Sequence, residues 1–174
     1  MVVCGRAMPV VEVDVADPRE PPFGQMLKAL DSLQPDEVYL ATGSSAHYAL
    51  WGELMSIAAQ ARGAAGAVLV GYTRDTKGIL AMNFPVFSYG SYAQDQRGRG
   101  IVTDFRVSVE IDGVRVRPGD IIFGDIDGVV VLPREVEDIV TAKALEQVKK
   151  ERAAKTMLLN GASAEAVFSQ TGVL

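Results

Sequence analysis

Cysteine and histidine are almost absent from this 174-residue chain, which contains one of each, Cys4 and His47. A single cysteine excludes an internal disulfide framework and is typical of proteins from a reducing cytoplasm. A single histidine argues against a zinc site built from several histidines and against a cysteine–histidine nucleophile pair. Any chemistry therefore has to come from carboxylates, arginines, hydroxyls and backbone amides.

The chain also lacks a surplus of positive charge and a long apolar segment. Lysine and arginine number 17 against 22 aspartates and glutamates, which gives a formal net charge of -5. A surface of that sign repels phosphate backbones, so we expect no nucleic-acid partner. The longest weakly polar run, Gly63–Tyr72, is about half the length of a bilayer crossing. No secretory signal is visible, so we expect a cytoplasmic protein with no membrane partner.

Strands and helices alternate in the first half of the predicted structure, as in a unit of parallel strands joined by right-handed crossovers. In chain order we predict a strand over Val2–Val15 broken near Gly5 and Pro9, a helix over Phe23–Leu33, a strand over Glu37–Ala41, a helix from Leu50 or Trp51, a strand over Ala67–Gly71, a helix over Asp75–Met82 and a strand over Pro85–Tyr89.

Short strands separated by Asp-Gly and Pro-Gly turns dominate the second half. We predict strands over Val107–Ile111, Val114–Val116, Ile121–Phe123 and Val129–Leu132, then a long helix from Arg134 and a small one near Ala164–Ser169. The sequence therefore predicts an α/β fold with a mixed sheet, in one domain over residues 1–174. No G-x-G-x-x-G or Walker motif is present, which argues against a nucleotide cofactor.

Two segments with chemically useful residues follow parallel strands, at the sheet edge where ligands bind in open α/β folds. One is the loop Thr42–Ser45, which leads into the second helix, and the other is Gly71–Asp75. We expect the first turn of that helix, Gly52–Leu54, to face the same crevice as Arg74 and Asp75. Helix N-termini and arginines bind carboxylates and phosphates. Acidic residues in such a site favour a hard divalent cation bound by Asp75.

The motifs Trp51-Gly52-Glu53-Leu54 and Arg74-Asp75 resemble those of the RraA-like family. That family includes 4-hydroxy-4-methyl-2-oxoglutarate aldolases, oxaloacetate decarboxylases and the ribonuclease E inhibitor RraA, and older names for it include demethylmenaquinone methyltransferase. The likeness extends over nearly the whole chain, through Phe84-Pro85-Val86-Phe87, Val116-Arg117-Pro118-Gly119-Asp120, Asp125 to Pro133, and an aldolase-like ending over Gly161–Phe168 and Gly172–Leu174.

The resemblance implies a metal-dependent lyase that cleaves a small 2-oxo acid through a pyruvate enolate. It implies that Asp75 binds Mg²⁺ or Mn²⁺, that Arg74 stabilises the enolate oxygen and that Glu53 positions a water that handles protons. The substrate-binding residues that it implies are Gly52, Glu53, Leu54, Met55 and Arg74.

The resemblance also implies a β/β/α sandwich of the RraA-like, swivelling-domain type. It implies a homotrimer or a dimer of trimers, and a chain that lacks the helical segment preceding the domain in family members. Two other functions remain open at this point. One is a non-enzymatic regulator that binds a protein partner, and the other is a pseudoenzyme that retains only the fold.

Simpler structural interpretations of the site residues also remain open. Arg74 and Asp75 could form a surface pair in which Asp75 caps the following helix. Glu53 could be an ordinary acid of a helix's first turn. The arginines Arg97, Arg99 and Arg106 fit a solvated cluster.

Overall fold

The computed structural model describes residues 1–17 and 22–174. The described residues form two compact units, Met1–Arg134 and Glu135–Leu174. The expectation of a single domain over the whole chain stays a prediction.

In the first unit, strands outnumber helices. In chain order they are β1 (Val3–Asp14), β2 (Glu37–Thr42), β3 (Ala49–Trp51), β4 (Gly66–Leu69), β5 (Tyr72–Thr73), β6 (Val86–Phe87), β7 (Gly100–Phe105), β8 (Val109–Ile111), β9 (Val114–Val116), β10 (Ile121–Asp125) and β11 (Gly128–Leu132). The helices of this unit are α1 (Met26–Asp31), α2 (Glu53–Ala61) and α3 (Thr76–Ala81).

The main sheet is mixed, with the strand order β11-β10-β1-β2-β4-β6. Strands β1, β2, β4 and β6 are parallel, whereas β10 and β7 both pair with β1 in the antiparallel sense. Strands β3 and β5 form a small parallel pair, and β8 with β9 forms a hairpin. The parallel strands are those of the crossover unit that the first half of the sequence predicts.

The main sheet carries a hydrophobic core on each face, because successive side chains of a strand point to opposite faces. Met8 and Tyr39 belong to one core, which the helices cover, together with Leu30 of α1 and Ala59 of α2. Ala7 and Val38 belong to the other core, which includes side chains of the β8–β9 hairpin. The layers are thus hairpin, sheet and helices, which confirms the predicted β/β/α arrangement.

Strand β1 is continuous through Gly5 and Pro9, where the sequence analysis predicts breaks. Pro9 has no amide hydrogen to donate, but it lies between the segments Val3–Arg6 and Val10–Asp14, which pair with β10 and β7 respectively. No ladder hydrogen bond is lost at that position. A β-carbon at Gly5 would clash with the carbonyl oxygen of Asp36, so glycine allows the chain entering β2 to approach closely.

One further local prediction is wrong, and one strand has no counterpart among the predicted elements. Ala49–Trp51 is a strand and not the start of the second helix, which begins at Glu53. The run Tyr48–Trp51 is wholly buried, and a short buried apolar run fits a strand and a helix equally well. The segment Gly100–Phe105, next to the predicted arginine cluster, forms β7.

The second unit consists of α4 (Glu137–Leu159) and α5 (Ala164–Thr171), and a 3₁₀ turn, Arg134–Val136, precedes α4. Ser163 caps α5 by accepting a hydrogen bond from the amide of Ala166, and Gly172 ends the helix in the left-handed conformation. Within the described residues, no helix combines the length and the apolar character that crossing a membrane requires.

One acidic side chain, Glu12, is buried at the carboxyl end of β1. It is 1% exposed, and its Oε1 atom has no hydrogen-bond partner among the described residues. Burial raises the pKa of Glu12 to about 8, the charge of Asp14 adds to the rise, and a hydrogen bond with Tyr48 opposes it. The nearby phenol of Tyr39 is also buried. Glu12 is therefore mainly neutral at pH 7, so folding prevents the ionisation that the unfolded chain undergoes.

We predict that Glu12→Gln changes how stability depends on pH. The native pKa of about 8 lies above the ordinary glutamate value of 4.5, so wild-type stability falls as pH rises from about 4.5 to 8. The Gln variant has no carboxyl group that titrates at this position. Its free energy of unfolding, relative to that of wild type, should therefore increase over the same pH range by about 3–5 kcal/mol as an upper bound. Urea unfolding at pH 5, 6.5 and 8 measures the difference.

The control for this prediction is Glu110→Gln, because Glu110 is exposed on β8. That variant should follow the wild-type pH dependence. Parallel stability curves for Glu12→Gln and wild type would contradict the prediction.

Candidate functional site

The candidate site lies beyond the carboxyl ends of β2 and β4. The chain that leaves each of these strands forms the small parallel pair β3–β5. At the ends of that pair, the amide of Arg74 donates a hydrogen bond of 2.9 Å to the carbonyl oxygen of Trp51. This bond brings Gly52, which follows Trp51, beside Arg74 and Asp75, as the sequence analysis predicts.

The loop between β2 and β3 is fixed to the end of β1. Both the amide of Ser45 and the hydroxyl of Tyr48 donate hydrogen bonds to Asp14 Oδ1, at 3.0 and 2.9 Å. Burial opposes the ionisation of Asp14, but hydrogen bonds from Ser45 and Tyr48 lower its pKa below the usual value. An ionised Asp14 therefore holds the loop that leads to β3.

Trp51 fixes the end of β3 by packing and by one hydrogen bond. It is 1% exposed, and its ring lies 4.8 Å from the ring of Tyr39 and 6.4 Å from that of Phe84. Its indole N–H donates to Ser56 Oγ on α2 at 2.7 Å. The same side chain therefore sets the direction in which α2 leaves β3.

Helix α2 is capped from a different loop. Its N-cap residue, Gly52, is extended and has no side chain to provide a cap. Instead the amide of Glu53 donates to Asp75 Oδ2 at 3.2 Å. A β-carbon at Gly52 would lie 2.7 Å from that oxygen, so only glycine allows the close approach. The amides of Leu54 and Met55 belong to the first helical turn, for which the helix itself supplies no acceptor.

Asp75 and Asp95 hold the guanidinium of Arg74 between them. Arg74 Nη1 lies 3.2 Å from Asp75 Oδ2, and Nη2 lies 3.8 Å from Asp95 Oδ1. The three side chains are 38–47% exposed, so solvent and ligands can reach them. Asp75 also has a positive φ of 58°, which few non-glycine residues adopt and which turns its carboxylate back toward α2.

Glu53 lies against α3. A β-carbon at Gly78 would clash with the Glu53 carboxyl group, so the glycine makes room for that acid. Gly78 is in the first turn of α3, the helix that Asp75 begins as its N-cap residue. The carboxylates of Glu53 and Asp75 are therefore both at the start of α3, where the helix dipole favours negative charge.

Arg74 forms part of the walls of two cavities. One has a volume of about 280 Å³ and is mainly apolar, and Gly52, Leu54, Met55 and Arg74 all line it. The other has a volume of about 370 Å³ and is lined by Arg74, Asp75, Thr76, Ser91, Tyr92 and Ala93. The structure thus brings the predicted site residues together around Arg74.

Asp95 and Gln96 also line the apolar cavity, and neither is among the site residues predicted from the sequence. They belong to a loop whose sequence has no helical or strand periodicity, and Asp95 reaches the site through a single β-bridge with Ala49. No motif links this loop to the site. The spacing of Asp95 from other acidic residues in the sequence does not link it to the site either.

The donor set at Asp75 fits a hard cation that keeps most of its water ligands. The described residues contain no group of three or more histidines, cysteines, aspartates or glutamates that could enclose a metal ion. Asp75 offers one accessible carboxylate, and the hydroxyls of Thr76 and Ser91 lie in the same cavity. Mg²⁺ commonly binds through one or two carboxylates, several waters and the substrate.

Comparison with known proteins identifies one family. The family model described as RraA-like, Aldolase/RraA, matches residues 1–131. A protein from Halalkalibacterium halodurans, provisionally named a 4-hydroxy-4-methyl-2-oxoglutarate aldolase, is 36% identical over 121 residues. The match covers 68% of this chain and 57% of that protein. The chain spans less than two thirds of the length of the first curated relatives that it matches.

Solved structures share the fold. An uncharacterized protein from Pseudomonas syringae is 26% identical, with a TM-score of 0.86 over 96% of this chain and 75% of that one. RraAS2 of Streptomyces coelicolor, described as an unusual member of the RNase ES inhibitor RraA family, is 23% identical, with a TM-score of 0.77 over 89% of this chain and 77% of that one. At that identity the likeness concerns the fold alone.

Proposed function

Because the chain belongs to the RraA-like, Aldolase/RraA family, we propose that it is a divalent-metal-dependent lyase. Its substrates in this proposal are small 4-hydroxy-2-oxo acids or oxaloacetate, cleaved through a pyruvate enolate. The observation that carries the proposal is the position of Arg74, beside the start of α2 and at the junction of two cavities. The aldolase name of the relative from Halalkalibacterium halodurans supports it.

In the proposed aldol cleavage, the bond between C3 and C4 of the substrate breaks. The C4 hydroxyl loses its proton and becomes a carbonyl, while the electron pair of the broken bond forms the pyruvate enolate. The enolate then takes a proton at C3 to give pyruvate. Decarboxylation of oxaloacetate forms the same enolate with carbon dioxide as the leaving group. Arg74 has planar donors that can stabilise the charge on the enolate oxygen in the transition state.

Asp75 is the residue that would hold Mg²⁺ or Mn²⁺. When bound, the cation supplies Lewis acidity at the 2-oxo and carboxylate oxygens of the substrate. The amides of Leu54 and Met55 would hold the substrate carboxylate, since the amide of Glu53 already donates to Asp75. The Glu53 carboxylate, seated against Gly78, would exchange the proton through a water.

The assembly in this proposal is a homotrimer or a dimer of trimers. The residues around Arg74 are partly exposed, and a neighbouring copy would exclude water from the site. Exclusion of water strengthens the electrostatic interactions on which enolate stabilisation depends.

A pseudoenzyme is the alternative that a specific observation favours. Asp75 Oδ2 already accepts hydrogen bonds from the amide of Glu53 and from Arg74, as it would if its role were only to cap α2. In that case the site would stabilise the fold without cleaving a substrate. A regulator that binds a protein partner would likewise show no lyase activity.

We predict that Arg74→Lys lowers kcat by about 100- to 1,000-fold, because a point-charged ammonium cannot replace the planar donors of arginine. KM should change little, since the enolate charge develops only in the transition state. The free energy of unfolding should change by less than about 1 kcal/mol for this exposed pair. Pyruvate release from oxaloacetate and 4-hydroxy-2-oxo acids is the measurement.

The control for Arg74 is Arg62→Lys, because Arg62 pairs with Asp31 on the surface away from the site. It should retain wild-type kcat. If Arg74→Lys also retained wild-type kcat, the site would be a capping arrangement and the pseudoenzyme or regulator interpretation would replace the lyase.

We predict that chelator abolishes pyruvate release, that Mg²⁺ or Mn²⁺ restores it, and that Asp75→Asn weakens Mn²⁺ binding strongly. Asparagine keeps an oxygen that can still accept from the amide of Glu53, so α2 should remain capped. Mn²⁺ binding is measured by electron paramagnetic resonance, which does not depend on activity. The exposed Asp104 provides the control, Asp104→Asn, which should bind as wild type. Full activity in excess chelator would exclude the metal mechanism.

A further inference from the structure

The apolar cavity beside Arg74 has a larger volume than a small 2-oxo acid needs. Its volume of about 280 Å³ is close to the lower end of the range for cavities that bind small organic molecules. Phe23, Met26, Leu30, Leu50, Trp51 and Ala58 are among the side chains that line it. They come from α1, β3, α2 and the segment before α1, so rigid elements form most of the walls.

The charged residues that line this cavity disfavour the distal carboxylate of a dicarboxylic substrate. Arg74 and Asp95 are the charged residues that line it. Arg74 already has two carboxylate partners, Asp75 and Asp95. A dicarboxylic substrate that placed its distal carboxylate here would meet apolar side chains and the like charge of Asp95, both of which are unfavourable.

Arg74 lines both the apolar cavity and the polar one that Asp75 also lines. If the enolate forms beside Arg74, the carboxylate and 2-oxo group extend on one side and the substituent at C4 extends on the other. The amides of Leu54 and Met55 at the start of α2 would still hold the carboxylate. Asp75, Thr76 and Ser91 of the polar cavity lie on the same side of Arg74 in this proposal. The apolar cavity offers hydrophobic surface to the substituent at C4.

We propose that this site prefers 4-hydroxy-2-oxo acids with an apolar C4 substituent, such as a branched alkyl or phenyl group, over dicarboxylic substrates. This inference rests on the proposed function. The cleavage is the same: the C3–C4 bond breaks, the C4 hydroxyl loses its proton, and C3 gains one to give pyruvate. The second product is then an apolar aldehyde.

A substrate group suits this cavity better than a segment of another protein chain. The cavity is continuous with Arg74 and Gly52 of the candidate site, and its volume matches one alkyl or aryl group. A second copy of the chain is the alternative occupant, and it would need a broader contact than this cavity provides.

The cavity can be tested by binding, without relying on cleavage. Trp51 is the only tryptophan in the chain and lines the cavity, so its fluorescence reports on an occupant. With Mg²⁺ present, we expect 2-oxo-4-phenylbutanoate to bind at least about tenfold more tightly than 2-oxoglutarate. Neither compound has a 4-hydroxyl group, so neither can undergo the aldol cleavage.

Ala58→Phe should fill the cavity, and Ala61→Phe is its control. Ala58 is a half-buried residue on α2 that lines the cavity, whereas Ala61 is exposed on the same helix. Ala58→Phe should weaken binding of the phenyl compound by at least about tenfold and leave pyruvate binding unchanged. Ala61→Phe should leave both unchanged. If Ala58→Phe does not fold, Ala58→Leu gives a smaller effect in the same direction.

Cleavage assays separate this inference from the proposed function. The values of kcat/KM for 4-hydroxy-2-oxo-4-phenylbutanoate and 4-hydroxy-2-oxoglutarate are compared by pyruvate release. Preference for the phenyl substrate supports both proposals. Preference for the dicarboxylate overturns the inference and leaves the lyase proposal standing. Tight binding of the phenyl compound without any cleavage rejects the lyase and retains the apolar binding site.

Light scattering identifies the alternative occupant. If Ala58→Phe lowers the molar mass in solution while ligand selectivity is unchanged, the cavity is an interface between copies and the inference is overturned. Equal masses for Ala58→Phe, Ala61→Phe and wild type, together with the selective loss of phenyl binding, support it.

Discussion

The hydrogen bond from the amide of Arg74 to the carbonyl of Trp51 is the constraint on which the candidate site depends. Parallel strands β2 and β4 end at the same edge of the sheet, but their ends alone would leave two independent loops. Pairing of β3 with β5 joins these loops. The start of α2 and the Arg74-Asp75 segment are thereby placed side by side, although 22 residues separate Glu53 from Asp75 in the chain.

Packing and charge around Trp51 keep that pairing in place. The buried ring contacts Tyr39 and Phe84, and the loop before it is bonded to Asp14. Glu12, which is buried near Asp14 at the end of β1, lowers the stability of the fold, since burial raises its pKa to about 8. The structure therefore keeps an acid in a costly environment close to the loop that leads to the site, which is more common near functional sites than elsewhere.

Much of this arrangement could be predicted from the sequence, because it depends on local patterns. The crossover unit follows from hydrophobic periodicity, and the meeting of Gly52 with Arg74 follows from the position of parallel strand ends. The pairing of β3 with β5 and of β7 with β1 could not be predicted. The buried run before Gly52 fits helix and strand alike, and neither β7 nor the contact of Asp95 with Arg74 has a local signature. Whether Arg74, Asp75 and Glu53 perform chemistry stays a prediction.

The pairing of Arg74 with two carboxylates bears directly on which ligands the site can favour. A substrate carboxylate in the ground state must compete with Asp75 and Asp95 for the guanidinium of Arg74. Replacing one carboxylate partner by another contributes little to the free energy of binding. An enolate oxygen that gains charge during bond cleavage adds an interaction that neither acid provides in the ground state. Interactions that strengthen only in the transition state raise kcat. Binding of the substrate must then come from elsewhere, and the apolar cavity beside Arg74 offers the surface for it.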